Sequence, residues 1–188
     1  GVQVLSFAAN RGKGHALRFA FDDSAARVWA DAVVVVDADS EVSANLLRAL
    51  AAHIESGAEA VQVHFGVLNP QASWRTRLMA IAHGAFHTLR SRARERLQLS
   101  CGLRGNGWCV THHLLTKVPY HAFSLVEDLE YGIALGLAGF RVHYADEAQV
   151  LGEMTTTAAV AGPQRRRWEQ GRFQLIYKQT WPLLAAAI

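Results

Sequence analysis

The stretch Val33-Val34-Val35-Val36-Asp37-Ala38-Asp39-Ser40 decides the fold class of this chain. Four β-branched residues in succession are typical of a strand that is covered on both faces, as in a parallel sheet between helices. The run ends in Asp and Ser residues, which favour a turn. Open α/β sheets bind ligands at the carboxyl ends of their strands. The stretch therefore predicts an α/β sheet with a ligand site at this edge.

Asp37 and Asp39, one residue apart in the predicted turn, are candidate metal ligands. Hard divalent cations such as Mg²⁺ or Mn²⁺ prefer oxygen ligands and often bridge to a substrate phosphate. The alternative is that both aspartates only end the strand, because Asp is common in turns and helix caps. The stretch alone leaves both interpretations open.

The composition is that of one folded domain. The chain has 188 residues, of which 51% are hydrophobic and 19% are charged, which argues against extended disorder. The formal charge of +3 suits anionic small substrates or an anionic membrane surface better than a nucleic-acid groove, so we expect no nucleic-acid partner. Cys101 and Cys109 lack the close spacing of zinc or redox motifs and are expected to be reduced thiols.

Predicted strands alternate with predicted helices along the chain, which indicates a layered α/β architecture and a single domain over residues 1–188. Ser43 is a candidate cap for a helix over residues 44–55, and a longer helix is predicted over residues 73–96, weakened at Gly84. The predicted strands cover residues 2–7, 32–36, 60–67, 108–111 and 141–145.

Both ends of the sequence are typical of internal segments. Residues 2–7 read as an internal strand and residues 181–188 as an apolar run, so we expect an excised part of a longer protein. The sequence contains no apolar stretch of the ~20 residues that cross a bilayer. Tyr177, Lys178 and Trp181 are of the types found at membrane interfaces. Residues 175–188 therefore predict an interfacial helix or the start of a membrane segment, with an ordinary amphipathic helix as the alternative.

Two glycine-rich segments are candidate ligand loops. The segment Asn10-Arg11-Gly12-Lys13-Gly14 follows the first predicted strand, so its glycines and Lys13 are placed to approach a phosphate, although it lacks the P-loop pattern. The segment Gly105-Asn106-Gly107 precedes a predicted strand, where Asn106 and backbone N–H groups are placed to contact a ligand. A solvated or tight turn explains either segment as well.

Two further motifs join groups of catalytic or phosphate-binding type. Glu127 and Asp128 open a predicted helix, where the helix dipole alone favours acids, while the functional interpretation makes one of them a general base. The segment Gln164-Arg165-Arg166-Arg167-Trp168 combines guanidinium groups, which recognise phosphates, with an indole, which offers a flat surface to a sugar ring.

The histidine and arginine patterns of the long predicted helix are interpreted as structural. His83 and His87 share a helix face but lack the Glu of a HExxH zinc motif. The arginines at 90, 92, 94 and 96 form two i, i+4 pairs, which is typical of a solvated helix. Contact of these arginines with anionic lipid is the alternative.

Taken in order, Asp37-Ala38-Asp39, Gly105-Asn106-Gly107, Glu127-Asp128 and the 164–168 segment resemble the catalytic domain of family two glycosyltransferases. The resemblance is closest to the membrane-associated branch that includes cellulose, chitin and hyaluronan synthases. It implies a GT-A fold, with a mainly parallel central sheet flanked by helices, and the inverting transfer of a sugar from a nucleotide-diphosphate sugar to a carbohydrate or lipid-linked hydroxyl. It also implies a parent protein at the cytoplasmic face of the cell membrane.

The same resemblance implies roles for individual residues. Asp37 and Asp39 match the DxD motif that binds the donor and a Mg²⁺ or Mn²⁺ ion. Asp128, beside Glu127, matches the general base. The family's diphosphate and acceptor motif QxxRW is matched by Gln164, Arg167 and Trp168, and substrate-binding positions by Lys13 and Asn106.

The sequence departs from the family pattern at its start. Family members begin with a strand and an acidic loop that bind the nucleoside. The sequence, which starts at Gly1, contains no segment that matches them. A nucleotidyltransferase that makes nucleotide sugars and a non-catalytic module that binds nucleotide or a partner protein are the alternatives. The QxxRW match argues against the first, and the unmatched first segment favours the second.

Overall fold

A five-stranded sheet with helices on both faces forms the framework of the computed structural model. The structure describes residues 2–7, 9–27 and 30–186, without the side chains of 158–161 and 164–165. The strands are β1 Ala32–Val35, β2 Ser40–Val42, β3 Ala60–Val67, β4 Trp108–Thr111 and β5 Val142–Gly152. The helices are α1 Lys13–Arg27, α2 Leu46–Glu55, α3 Trp74–His83, a π segment Gly84–Leu89, α4 Arg90–Arg96, α5 His112–Lys117, α6 Glu127–Leu137 and α7 Ala158–Ala186.

The α/β class predicted from the sequence is confirmed, but the sheet is mixed rather than mainly parallel. Its order is β1-β4-β3-β5-β2, in which β3 and β5 pair in parallel and the other three pairings are antiparallel. The glycine loop before β4 explains the reversal. Gly107 N donates to Val35 O, so β4 starts beside the end of β1 and must run against it.

The strand predicted for residues 32–36 is confirmed as β1, whereas the strand predicted for residues 2–7 is wrong. Residues 2–7 are in no regular element, and Val2 and Val4 are 97% and 83% exposed. Alternating apolar residues form a strand only where a sheet edge pairs with them. In the described part of the chain β1 pairs only with β4, so Val35 is buried while Val33 and Val34 are half-buried.

Two apolar clusters cover the two faces of the sheet, because side chains alternate along each strand. On β3, Ala60 belongs to one cluster and Val61 and Val63 to the other. The first cluster contains Trp108, Tyr120 and Tyr131 and packs under α1 and α6, while the second packs under α2. The core therefore fixes α1 and α6 on the same face of the sheet.

The helices predicted from the sequence are confirmed with altered boundaries. Helix α2 starts at Leu46 after Asn45 rather than at residue 44, and Ser43 Oγ instead accepts a hydrogen bond from Gln149 N. The predicted 73–96 helix begins with a capping box at Ser73 and is continuous through the π segment, which starts at Gly84. At Gly84, where the sequence predicted a weakened helix, the α-helix changes to a π-helix.

The carboxyl-terminal part contains a long bulged strand and a long helix. β5 extends the strand predicted at 141–145 to Gly152, with a register shift opposite Val63 and His64. Helix α7 includes Pro163 and Pro182. Within the part of the chain that the structure describes, no helix combines the length and apolar character that a bilayer crossing requires.

Candidate active site

The ammonium group of Lys13 links the first helix to the end of the first strand. Gly12 has φ +88°, and Gly14 packs so closely on residues 122 and 123 that a Cβ at position 14 would lie 2.3 Å from Ala122 O. This close approach brings the start of α1 over the sheet edge. Lys13 Nζ donates to Asp37 Oδ1 at 2.6 Å and to Gly105 O at 2.7 Å.

The 105–107 loop holds the end of β1 in place. Asp37 N donates to Asn106 Oδ1 at 3.0 Å, and Asn106 Nδ2 donates to Ser40 Oγ at 2.7 Å. Asn106 is 2% exposed, so its amide is committed to the loop. The structure therefore gives Asn106 a positioning contact with the DxD segment.

Gln62 is a buried polar residue of the site that the sequence analysis missed. Its Nε2 donates to Asn106 O at 2.8 Å and to Gly107 O at 3.0 Å, and its Oε1 accepts from Arg104 N at 2.8 Å. A polar side chain that is 0% exposed on a central strand needs such partners. In the sequence, the only sign of this role is a polar side chain, that of Gln62, between Val61 and Val63 in an apolar strand.

Glu127 and Asp128 open α6 at the same edge of the sheet. Glu127 Oε1 lies 3.7 Å from Lys13 Nζ, and a Cβ placed on Gly105 would lie 3.4 Å from Asp128 Oδ2. Lys13 therefore lies between the DxD segment and the acidic pair, with the glycine loop beneath it.

Burial raises the pKa of both carboxyl groups above their ordinary range. For Asp128 the helix-start N–H groups and Lys13 offset part of this increase, and for Glu127 the charge of Asp128 adds to it. A carboxylate with a raised pKa is a stronger proton acceptor. The arrangement thus combines a candidate base with a nearby cation at the carboxyl end of β1.

The donor set of the DxD segment fits a hard divalent cation. Asp37 and Asp39 present carboxylates in one turn after β1, and Asp39 is exposed. Within the part of the chain that the structure describes, no group of three or more His, Cys, Asp or Glu side chains converges on one point. Two protein carboxylates, with the remaining positions left to phosphate and water, is a common arrangement for Mg²⁺.

The predicted site residues of α7 are not joined to this cluster. Arg167 is exposed and Trp168 is half-buried, and neither makes a hydrogen bond or ion pair to the cluster among the described residues. The side chain of Gln164 lies outside the described residues. The cluster of the described part consists of Lys13, Asp37, Asn106, Glu127 and Asp128, with Gln62 supporting it.

Comparison with known proteins identifies the family of the chain. Residues 1–171 match the family model described as "Glycosyltransferase like family 2". The chain is similar to a beta-monoglucosyldiacylglycerol synthase of Synechocystis sp. (strain ATCC 27184 / PCC 6803 / Kazusa), with 30% identity over 171 residues. The matched part is 88% of this chain and 34% of that relative.

The match covers most of the chain, while the chain spans about a third of the length of that curated relative. The sheet with its parallel β3–β5 pair and flanking helices is consistent with the truncated GT-A fold that the motifs predicted. The alternative of a nucleotidyltransferase is not favoured by either comparison. The chain belongs to the family 2 glycosyltransferases.

Proposed function

We propose that this domain transfers a sugar, with inversion, from a nucleotide-diphosphate sugar to a hydroxyl group, with Asp128 as the general base. The observation that carries the proposal is the bridge formed by Lys13, which contacts Asp37 of the DxD segment and lies 3.7 Å from Glu127 of the acidic pair. This contact supports a site in which the proposed donor-binding residues and the proposed base lie close together.

In the proposed reaction the acceptor oxygen attacks the anomeric carbon as Asp128 takes its proton. The bond from the anomeric carbon to the diphosphate oxygen breaks, and the electron pair leaves with the diphosphate. Attack opposite to the leaving group inverts the anomeric centre. The raised pKa of Asp128 suits proton acceptance, and Lys13 and Arg167 provide positive charge for the diphosphate.

Asp37 and Asp39 are the residues proposed to hold Mg²⁺ or Mn²⁺. When bound there, such an ion offsets the negative charge of the leaving diphosphate. Gln164, Arg167 and Trp168 remain the proposed contacts to the diphosphate and the acceptor. Asn106 positions the DxD turn through its bond to the Asp37 N–H group.

The acceptor is proposed to be a lipid-linked or carbohydrate hydroxyl. The relative's name refers to a diacylglycerol glycoside, which favours the lipid alternative. A lipid acceptor places the reaction at a membrane surface, and we propose the cytoplasmic face, where nucleotide sugars are made available. A carbohydrate acceptor requires no membrane contact by this domain.

The test is sugar transfer by the whole gene product with Asp128→Asn. With a panel of nucleotide-diphosphate sugars, diacylglycerol and oligosaccharide acceptors, we expect kcat to fall by at least about a hundredfold, because general base catalysis contributes about that much. Nucleotide binding should persist. Asp146→Asn, which removes a surface carboxylate paired with Arg92, is the matched control and should retain transfer. Full transfer by Asp128→Asn would exclude this base.

A further inference from the structure

A groove of about 480 Å³ lies beside the catalytic edge, between α4, the 100–104 segment, α6 and the end of α7. Its polar lining includes Arg90, Arg94 and Arg104, and no Asp or Glu side chain of the described residues lines it. Its apolar lining includes Ile133 and Leu183. The groove thus combines concentrated positive charge with an apolar floor.

The arginines of α4 divide into two sets that the sequence could not separate. Arg92 pairs with Asp146 at 2.6 Å and lies outside the groove. Arg90 lines the groove and makes no hydrogen bond or ion pair among the described residues, while Arg94 donates through Nε to Ser100 O. The charge of Arg90 is therefore available to a ligand.

Arg104 adds a partly unsatisfied guanidinium to the groove. Its Nη2 donates to Cys101 O at 2.9 Å, but its Nε is buried and has no acceptor among the described residues. A buried donor without a partner is costly. The buried Nε does not face the groove, so an anion there would accept from the outer nitrogen atoms of Arg104 and from Arg90 together.

The floor of the groove has room for an acyl chain. Gly136 leaves one face of α6 without a side chain, and a Cβ there would meet no described atom within 4 Å. Gly132, one turn earlier, packs on Leu103, whose N would lie 3.3 Å from a Cβ at position 132. Leu137 and Leu183 at the groove are 39% and 44% exposed. Covering apolar surface of this kind with hydrocarbon removes it from water and lowers the free energy of the system.

We propose that this groove binds an anionic phospholipid, with the phosphate at Arg90 and Arg104 and one acyl chain against Gly136, Leu137 and Leu183. Charge complementarity selects the headgroup, because the described lining of the groove contains three guanidinium groups and no carboxylate. The apolar floor distinguishes a lipid from a free anion. The groove adjoins the proposed catalytic carboxylates, because the charge of Arg104 lowers the pKa of Asp128. The lipid site itself does not rest on the proposed reaction.

The first test is co-sedimentation of the chain with vesicles of phosphatidylglycerol and phosphatidylcholine, and with vesicles of phosphatidylcholine alone. We expect binding to the mixed vesicles, weakened about tenfold or more by Arg90→Glu, since one arginine near such a surface accounts for about a fivefold effect and the reversal removes it and adds repulsion. Arg96→Glu is the matched control, because Arg96 lies on the same helix outside the groove. It changes the net charge equally and should weaken binding by only about twofold.

The second test is binding of monomeric short-chain phosphatidylglycerol to Gly136→Leu, which adds an apolar side chain to the floor at a position where a Cβ would meet no described atom within 4 Å. We expect the variant to keep the circular dichroism of the parent and lose this binding. Equal losses in Arg90→Glu and Arg96→Glu would show diffuse surface attraction and overturn the proposal. So would unchanged binding by Gly136→Leu, or displacement of the lipid by an equal concentration of inorganic phosphate.

Discussion

A single ammonium group, Lys13 Nζ, lies among acceptors from three distant parts of the chain. It bonds to Asp37 and to Gly105 O and lies 3.7 Å from Glu127. These partners follow β1, precede β4 and open α6, so Lys13 connects three elements at the sheet edge. The side chains of Lys13 and Asp37 are 37% and 40% exposed, so water screens this pair and its contribution to stability is small. The contacts of Lys13 instead hold the three elements in position relative to one another.

Asp128→Asn is predicted to stabilise the fold at pH 7. Burial raises the pKa of Asp128, so its ionised form is disfavoured in the folded state at neutral pH. Removing the charge recovers about 1.4 kcal/mol for each unit of pKa increase, or about 3 to 6 °C in Tm for a chain of this size. The measurement is thermal unfolding followed by circular dichroism.

The pH dependence checks the cause of that stabilisation. Below the ordinary pKa of aspartate, about 4, both states of the parent protein are protonated at this position, so the gain should disappear there. Asp146→Asn, which removes an exposed carboxylate bonded to Arg92, should give no gain at pH 7. A Tm increase that persists at pH 3.5 would rule out charge burial as the cause.

Gly107→Ala is predicted to destabilise the protein by about 3 kcal/mol. Gly107 has φ +69°, and a Cβ there would lie 2.8 Å from Val63 Cγ2 and 2.9 Å from Val150 Cγ2. The left-handed conformation costs about 1–2 kcal/mol and overpacking about 1–3 kcal/mol. Urea unfolding measures the loss.

Gly57→Ala is the matched control for the Gly107 substitution. Gly57 has φ +95°, but a Cβ there would meet nothing within 4 Å. It should lose only the conformational share, about 1–2 kcal/mol. Equal losses in the two variants would mean that the contacts with Val63 and Val150 do not restrict position 107.

At the scale of elements, the last residue of α3 and the π segment that follows it place two histidine rings against β3. The His83 and His87 ring centroids are 4.5 Å apart, and both rings contact Phe65. The Nδ1 atoms of both histidines are buried without a hydrogen-bond partner. The extra residue of a π turn rotates the following helix, which also sets the face on which α4 presents Arg90 and Arg94.

The π segment is predicted to make stability sensitive to acid. Burial, followed by the charge of His83, lowers the pKa of His87 from 6.5 to about 3. As the pH decreases, this histidine therefore binds a proton at a higher pH in the unfolded chain than in the folded protein. The free energy of unfolding falls as pH decreases from about 6.5 towards 3. At pH 5 this site accounts for a loss of about 2 kcal/mol. Urea unfolding at pH 7 and pH 5 measures it.

His87→Phe should remove this share of the pH dependence. Phenylalanine keeps the packing on Phe65 and removes a buried polar atom that has no partner, so the variant should equal or exceed the parent in stability at pH 7. His53→Phe, at a ring beside Glu147 near the surface, should keep the parent's dependence. An unchanged loss between pH 7 and pH 5 in His87→Phe would assign it to other groups.

At the scale of the whole molecule, the sheet and its helices bring the residues of the candidate site together at one edge of the sheet. β1 ends there, the loop before β4 crosses it, and α1 and α6 begin over it. Helix α7 packs on α6 through buried Leu175 and through Lys178, whose Nζ donates to Glu130 Oε1 at 2.9 Å. This contact packs the helix that contains the 164–168 segment on the helix that begins with the acidic pair.

A nucleoside diphosphate with Mn²⁺ is predicted to stabilise the whole fold. A ligand at about a hundred times its Kd adds about 2.7 kcal/mol, which corresponds to an increase in Tm of about 5 to 10 °C for this chain length. The measurement is the change in Tm with uridine, guanosine, adenosine and cytidine diphosphates, each with and without Mn²⁺. The diphosphate that gives the largest increase identifies the preferred nucleoside.

Asp39→Asn and Glu41→Gln form the matched pair for that measurement. Both residues are exposed acids two positions apart, but only Asp39 belongs to the DxD turn. We expect the metal-dependent shift to be lost in Asp39→Asn and kept in Glu41→Gln. Equal shifts in the two variants would remove Asp39 from the metal site.

Much of the local structure followed from the sequence, because it depends on neighbours in the chain. The β-branched run gave a strand that ends at Asp37, and the acids at 127 and 128 gave a helix start. The 2–7 strand was wrong because a strand needs an edge to pair with. The boundary of α2 moved because Ser43 bonds to Gln149, which is distant in sequence.

The sequence by itself determined the α/β class and the family, since these depend on periodicity and on the order of motifs. It also predicted the candidate residues Lys13, Asp37, Asn106, Glu127 and Asp128, which the structure brings together. Only the tertiary structure decided the antiparallel course of β4, the role of Gln62 and the separation of Arg90 from Arg92. It also decided which carboxyl groups have raised pKa values. Each of these depends on contacts between residues far apart in the chain, and desolvation and pairing arise only when the fold brings such residues together.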